Sequence, residues 1–127
     1  MPAWTVEKFI RANGNCPIDK WKRKELTVID RMRLQVKIEG VESVDDLPPN
    51  TIEKYKGTEL FELKQKGDNK QLRPLGIIKR NATNTFLLLG GGIEKDDVIP
   101  ARDLDAAEVL RQEFLKGHGS VKGYFED

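Results

Sequence analysis

Apolar and polar residues alternate from Trp4 to Ile10, with Trp4, Val6 and then Phe9-Ile10 spaced as in a half-buried strand. Asn13-Gly14-Asn15 breaks that pattern. Pro17 suits a first helical position, and Ile18 and Trp21 then lie one turn apart on an inward face. A second helix is expected from Thr27, where a hydroxyl is followed three positions on by Asp30 in capping spacing. Ile29, Met32 and Val36 follow at helical spacing as its inward face, and Gly40 closes it in a left-handed conformation. The segment from Val41 to Gly57 reads as a connector, because Asp45-Asp46 and Pro48-Pro49 preclude regular structure. It either wraps the surface or includes a helical turn.

From Glu59 to Pro100 the pattern changes to three short apolar runs separated by Gly67-Asp68-Asn69 and Asn81-Ala82-Thr83-Asn84, which predicts a β-meander. In its first strand Phe61 and Leu63 share one face, and Glu62, Lys64 and Lys66 the other. Pro74 requires the second strand to be bulged there or to lie at an edge. Phe86 to Leu89 is apolar on both faces, as a central, doubly covered strand must be. Gly90-Gly91-Gly92 lacks the following Lys-Ser/Thr of a phosphate loop and reads as a kink or bulge leading out of the sheet. Pro100 opens a last helix with Leu104, Ala107, Leu110 and Phe114 in one stripe, ended by Gly117. These elements predict an α+β fold, a small antiparallel sheet (N-terminal strand plus three-stranded meander) packed with two N-terminal helices and one C-terminal helix. Residues 1–127 form one domain, with 118–127 expected as a flexible tail.

A chain of 127 residues suits one modest core, and no apolar run reaches the roughly 18 residues of a membrane helix. The first residues lack a signal-peptide pattern, and the single Cys16 has no partner for an internal disulfide, so a reducing cytoplasm is expected. The net charge of +1 hides an asymmetry. Residues 17–80 carry 15 Lys and Arg against 11 Asp and Glu, a net of +4, whereas residues 93–127 carry 5 against 9, a net of −4. That split permits nucleic-acid contact without requiring it.

The order strand, two helices, three-stranded meander, helix resembles the RelE/ParE superfamily of bacterial toxins, most of all its HigB-related, phage-derived branch. Three stretches carry the resemblance over residues 4–116. Tyr55-Lys56-Gly57 with Leu60-Phe61-Glu62-Leu63-Lys64 is similar to the family's Leu-Lys-Gly…Leu-Tyr-Glu-Leu-Arg. Leu72-Arg73 resembles the Tyr-Arg that opens its next strand. Gly92-Ile93-Glu94-Lys95 through Pro100 and Leu104-Asp105-Ala106-Ala107 resembles Phe-x-Lys-Lys…Thr-Pro…Ile-x-x-Ala. The resemblance implies a toxin of a type II toxin-antitoxin system that cleaves messenger RNA on the ribosome and is restrained by a cognate antitoxin. Three positions depart from the pattern: Lys64 replaces an arginine, Glu94 replaces a lysine, and Pro74 follows Arg73. Lys64, Glu94 and the near-neutral charge favour an alternative, a non-catalytic RelE-fold protein that binds a protein, gyrase-inhibitor-like or a phage-derived remnant.

Cleavage by a 2′-hydroxyl attacking its own phosphate needs proton transfer and positive charge on the phosphorane. Arg73 is the candidate phosphate clamp, since its planar fork can hold two oxygens, with Lys64 and Lys95 as further catalytic cations from neighbouring strands. Lys66, Lys79 and Arg80 are candidate RNA contacts. Tyr124 is a candidate to stack on a base, and His118, the one histidine, is a further candidate RNA contact. The competing reading of Arg73, Lys64 and Lys95 is a set of strand residues paired with Glu62 or Glu94. One Cys and one His make no metal site, and no cofactor is expected.

Overall fold

A computed structural model describes residues 4–80 and 83–126. Asn81 and Ala82 of the second predicted connection lie outside the described residues, as do positions 1–3 and 127 of the predicted domain. The elements run β1 (Trp4–Ile10), α1 (Pro17–Glu25), α2 (Val28–Val41), β2 (Ile52–Lys54), β3 (Phe61–Leu63), β4 (Gln65–Lys66), β5 (Gln71–Arg80), β6 (Asn84–Glu94), α3 (Ala101–Leu115) and β7 (Ser120–Gly123). The fold is α+β: three helices and one mixed sheet of order β2-β3-β5-β6-β1-β7, with β4 also against β5.

The predicted meander is present, but the sheet is not all antiparallel. β1 lies parallel to β6, with Val6 opposite Phe86; the two helices, the connector and strands β2 to β5 separate them in sequence, a long crossover of the kind that parallel pairing requires. Strand β6 is covered on both sides, as its sequence requires: Phe86, Leu87, Leu88 and Leu89 are all fully buried. Phe86 and Leu88 point into a core closed by Ile18, Trp21, Leu34 and Ile38 of α1 and α2. Leu87 and Leu89 point the other way, with Leu75, against Ala107 and Leu110 of α3. The predicted α3 stripe is therefore the one that packs, and Gly117, at φ +80, ends that helix. Gly91 is needed for close approach, since a Cβ there would strike the Trp21 ring.

Four further expectations are corrected. The first meander strand is split at Lys64 into β3 and β4, and Pro74 sits opposite that break, where its missing N–H faces no continuous neighbour. The ladder shifts register one residue later, between Leu75 and Gly76. The connector is not structureless, since β2 pairs with β3. The tail is not free either: Ser120–Gly123 forms β7 on β1, and the Tyr124 N–H donates to the Val6 carbonyl at 2.9 Å.

The fourth concerns α2. Thr27 and Asp30 form the expected reciprocal cap, but the helix runs past Gly40 to Val41. Its buried residues are Asp30, Leu34, Ile38 and Val41, whereas Ile29, Met32 and Val36 are 49%, 63% and 69% exposed. Asp30 is the reason. Its carboxylate accepts the N–H of Thr27 at 3.0 Å and of Asp68 at 2.7 Å and pairs with Lys70 Nζ at 3.0 Å, so this edge of α2 is held against the β4–β5 turn. Burial pushes the carboxyl up, but those N–H donors and Lys70 outweigh it and hold Asp30 well below the usual carboxylate range. A depressed pKa stabilises the fold above the unfolded value, about 4, and that contribution is lost as pH falls below it. Asp30→Asn is expected to cost about 2–3 kcal/mol at pH 7 in denaturant unfolding and to flatten the acid limb of stability against pH. An unchanged acid limb would show that Asp30 is not the group responsible.

Candidate functional site

Strand alternation puts Arg73 on the same face as Leu75, the face that α3 covers further along. Its cross-strand neighbours supply two acids: Glu62 from β3, opposite Leu75, and Glu94 from β6, opposite Gln71. Arg73 Nη2 donates to Glu94 Oε2 at 3.1 Å, and Nη1 donates to the Leu72 carbonyl at 2.9 Å. Nε stands 3.3 Å from Glu62 Oε1 but is too poorly aligned for a hydrogen bond, and it is buried without another partner. Arg73 and Glu62 are 7% and 6% exposed. Burial pushes the Glu62 carboxyl above its ordinary range, with Lys64 and Arg73 pulling the other way.

The predicted catalytic cations do not converge. Lys64 leaves the split between β3 and β4 and pairs with Glu53 at 2.7 Å. Lys95 is exposed just beyond β6, in a small hollow of about 110 Å³ shared with Trp21, Glu25, Ile93 and Asp103. The predicted RNA contacts are dispersed too. Lys79 is tied to Glu7 at 2.7 Å and lies 5.6 Å above the Phe114 ring. Lys66 and Arg80 are exposed at opposite ends of the β5 ladder, Lys66 beside Gln71. Tyr124 belongs to the core on the α1–α2 side, where its hydroxyl accepts from Lys22 Nζ at 2.9 Å. His118 is exposed in the turn between α3 and β7.

Nothing matches. Compared with protein-family models, with characterised proteins and with solved structures, the chain has no counterpart that clears the threshold for similarity.

The chemistry open to the site follows from its charge. One guanidinium between two carboxylates leaves a net negative cluster, and a phosphate would have to displace Glu94 from the donors it needs. Among the described residues no cluster of three or more His, Cys, Asp or Glu is placed for a metal. Cys16 is half-buried, and burial pushes its thiol up, away from a reactive thiolate.

Sequence reasoning missed a groove of about 550 Å³ between α2 and the segment that follows it, lined by Met32, Val36, Lys37, Val44 and Leu47 among others. Its signal was present as the Ile29, Met32, Val36 spacing, which the α2 prediction assigned to the chain's own core.

The cluster itself makes a prediction about stability. Arg73→Leu leaves two carboxylates without their shared cation and is expected to cost about 3–5 kcal/mol. Glu62→Gln in that background should recover part of the loss. Glu62 already has a raised pKa, so the Arg73→Leu protein should regain stability as pH falls through it, because the folded state then binds the extra proton. Urea midpoints measured between pH 5 and 8 check both statements, and a wild-type midpoint for Arg73→Leu would remove the structural role.

Proposed function

We propose that this chain is a RelE-like protein of the HigB-related branch that acts by binding a protein, rather than by cutting RNA. The observation that carries the reading is the Glu62–Arg73–Glu94 cluster: the one arginine suited to clamp a scissile phosphate is buried and already engaged by two acids. Lys64 is engaged by Glu53, and Lys95 faces a different hollow, so no cationic concavity is assembled around Arg73. Without that preorganised charge the largest source of phosphorane stabilisation is missing.

The toxin-like part of the reading is supported by element order: a first strand, two helices, a meander and a helix follow one another along the chain, with β2 and β7 added. A cognate antitoxin and a cellular target protein are the partner classes it implies. The cytoplasm is the compartment that fits, given one unpaired cysteine and no helix among the described residues long and apolar enough to cross a membrane.

The contrasting reading, a ribosome-dependent messenger-RNA endonuclease with Arg73, Lys64 and Lys95 as its catalytic groups, makes the opposite prediction for RNA. Incubated with ribosomes translating a defined message, the purified chain is expected to leave the transcript intact. Arg73→Lys should then move the unfolding midpoint and nothing in the RNA. Discrete cuts by the wild type that vanish in a folded Arg73→Lys protein would overturn the binding reading.

A further inference from the structure

Helix α2 is apolar on two sides, and the described residues cover only one. Leu34, Ile38 and Val41 enter the core. Val28, Ile29, Met32 and Val36 are 62%, 49%, 63% and 69% exposed. Ile29, Met32, Val36 and Gly40 recur at three- and four-residue steps and so form one row along the helix. Single exposed hydrophobic residues are ordinary, but a contiguous row beside a cavity is a recognition feature. Gly40 ends the row with open space where a Cβ would stand, so another backbone can come close there.

Met32, Val36 and Gly40 of this row line a trough together with Val44, Leu47 and Pro48, an open recess of about 550 Å³. Two cations, Arg33 and Lys37, line it, and no carboxylate does. Arg33 is fixed by donating Nη1 to the Gly67 carbonyl at 2.7 Å, and Lys37 has no ion-pair partner among the described residues.

We infer that this trough is the docking site for an amphipathic helix of a partner protein, one whose apolar stripe is flanked by acidic residues. The inference rests on the protein-binding reading and names the surface that reading needs. A helix fits for three reasons. The run from Met32 to Gly40 spans about 12 Å, roughly two helical turns, which suits an apolar stripe of three or four side chains. The trough is concave, so it fits a cylinder better than the flat surface of a bilayer. Its charges are both positive, so acidic flanks complement them, whereas a second copy laying its own α2 there would bring Arg33 and Lys37 against themselves.

The test uses a fluorescein-labelled designed helix of about 18 residues with leucines at helical spacing and glutamates beside them, and a twin with lysines in place of the glutamates. In anisotropy titrations the acidic peptide should bind and the lysine twin should bind at least about tenfold more weakly. Val36→Glu and Val44→Glu should each weaken the acidic peptide by about tenfold or more, and Lys37→Glu, which leaves Arg33 facing one carboxylate, should abolish the preference between the two. Val36 is exposed, so its replacement should leave the thermal midpoint unchanged and separate lost binding from lost fold. Equal binding of both peptides, absence of binding, or indifference to Val36→Glu overturns the proposal. So does either of two other occupants: self-association in sedimentation abolished by Val36→Glu identifies a second copy, and flotation with phosphatidylserine vesicles abolished by the same change identifies a membrane. Cleavage of RNA by the folded chain would remove the reading of the preceding section while leaving the peptide titrations to stand or fall by themselves.

Discussion

The orientation of α2 depends on one buried carboxylate. Asp30 has no exposed surface, yet it is surrounded by donors from its own cap and from the β4–β5 turn. Consider the helix rolled so that Met32 and Val36 go inward. Burying them would gain about 1.5–3 kcal/mol each, but Leu34 and Ile38, now fully buried, would come out and lose a similar amount. The apolar exchange roughly cancels. What remains is the loss of the Asp30 contacts, charge-assisted bonds of about 1.5–3 kcal/mol apiece net of the water that would replace them. The polar contact therefore decides between two apolar faces of comparable size.

The same contact fixes what lies on either side. Asp30 reaches the Asp68 N–H, and Arg33 reaches the Gly67 carbonyl, so the β4–β5 turn is pinned to α2 at both its donor and its acceptor. Strand β5 leaves that turn and carries Arg73 two residues in. There the outer neighbour of the sheet is broken at Lys64, and Pro74 has no N–H to offer. The Arg73 guanidinium spans this weak point, touching Glu62 on β3 and Glu94 on β6. Its position is explained by holding three strands together where ladder bonds are missing. A phosphate clamp would need the opposite, donors left unengaged and aimed at a cavity.

How much of this was legible depends on the range over which each feature is decided. Local features were readable: the Pro17 start of α1, the Thr27–Asp30 cap, the meander and the α3 stripe all follow from residues within a few positions of one another. Glu62 and Glu94 were recognisable as partners of Arg73 because strand alternation and order bring them near. The burial of Glu62 and Arg73 was not, because it needs the packing of distant parts of the chain above that face. The parallel pairing of β1, the docking of β7 and the short β2 were equally hidden. β1 pairs with β6 and β7, both far from it in sequence, and β2, though near β3, is only three residues with one apolar side chain. Nothing in Gly-Ser-Val-Lys-Gly announces a strand until β1 presents an unpaired edge to it.

The misassigned face of α2 is informative for a different reason. Periodicity reports that a row of side chains favours burial, and it carries no information about which molecule does the burying. Here the chain's own sheet accepts Leu34 and Ile38, and Asp30 prevents it from accepting the second row as well. The residues between the two rows are polar, which argues against a helix merely hydrophobic throughout: Arg31 donates to the Leu26 carbonyl, Gln35 to Glu39, and Lys37 stands at the rim of the trough. Two separate apolar rows divided by polar positions are the pattern of a helix with two neighbours. One neighbour is the sheet. The wall formed by Val44, Leu47 and Pro48 gives the second row a shaped, cation-bearing recess instead of open water, and a recess of that form is more readily explained by a partner than by chance exposure.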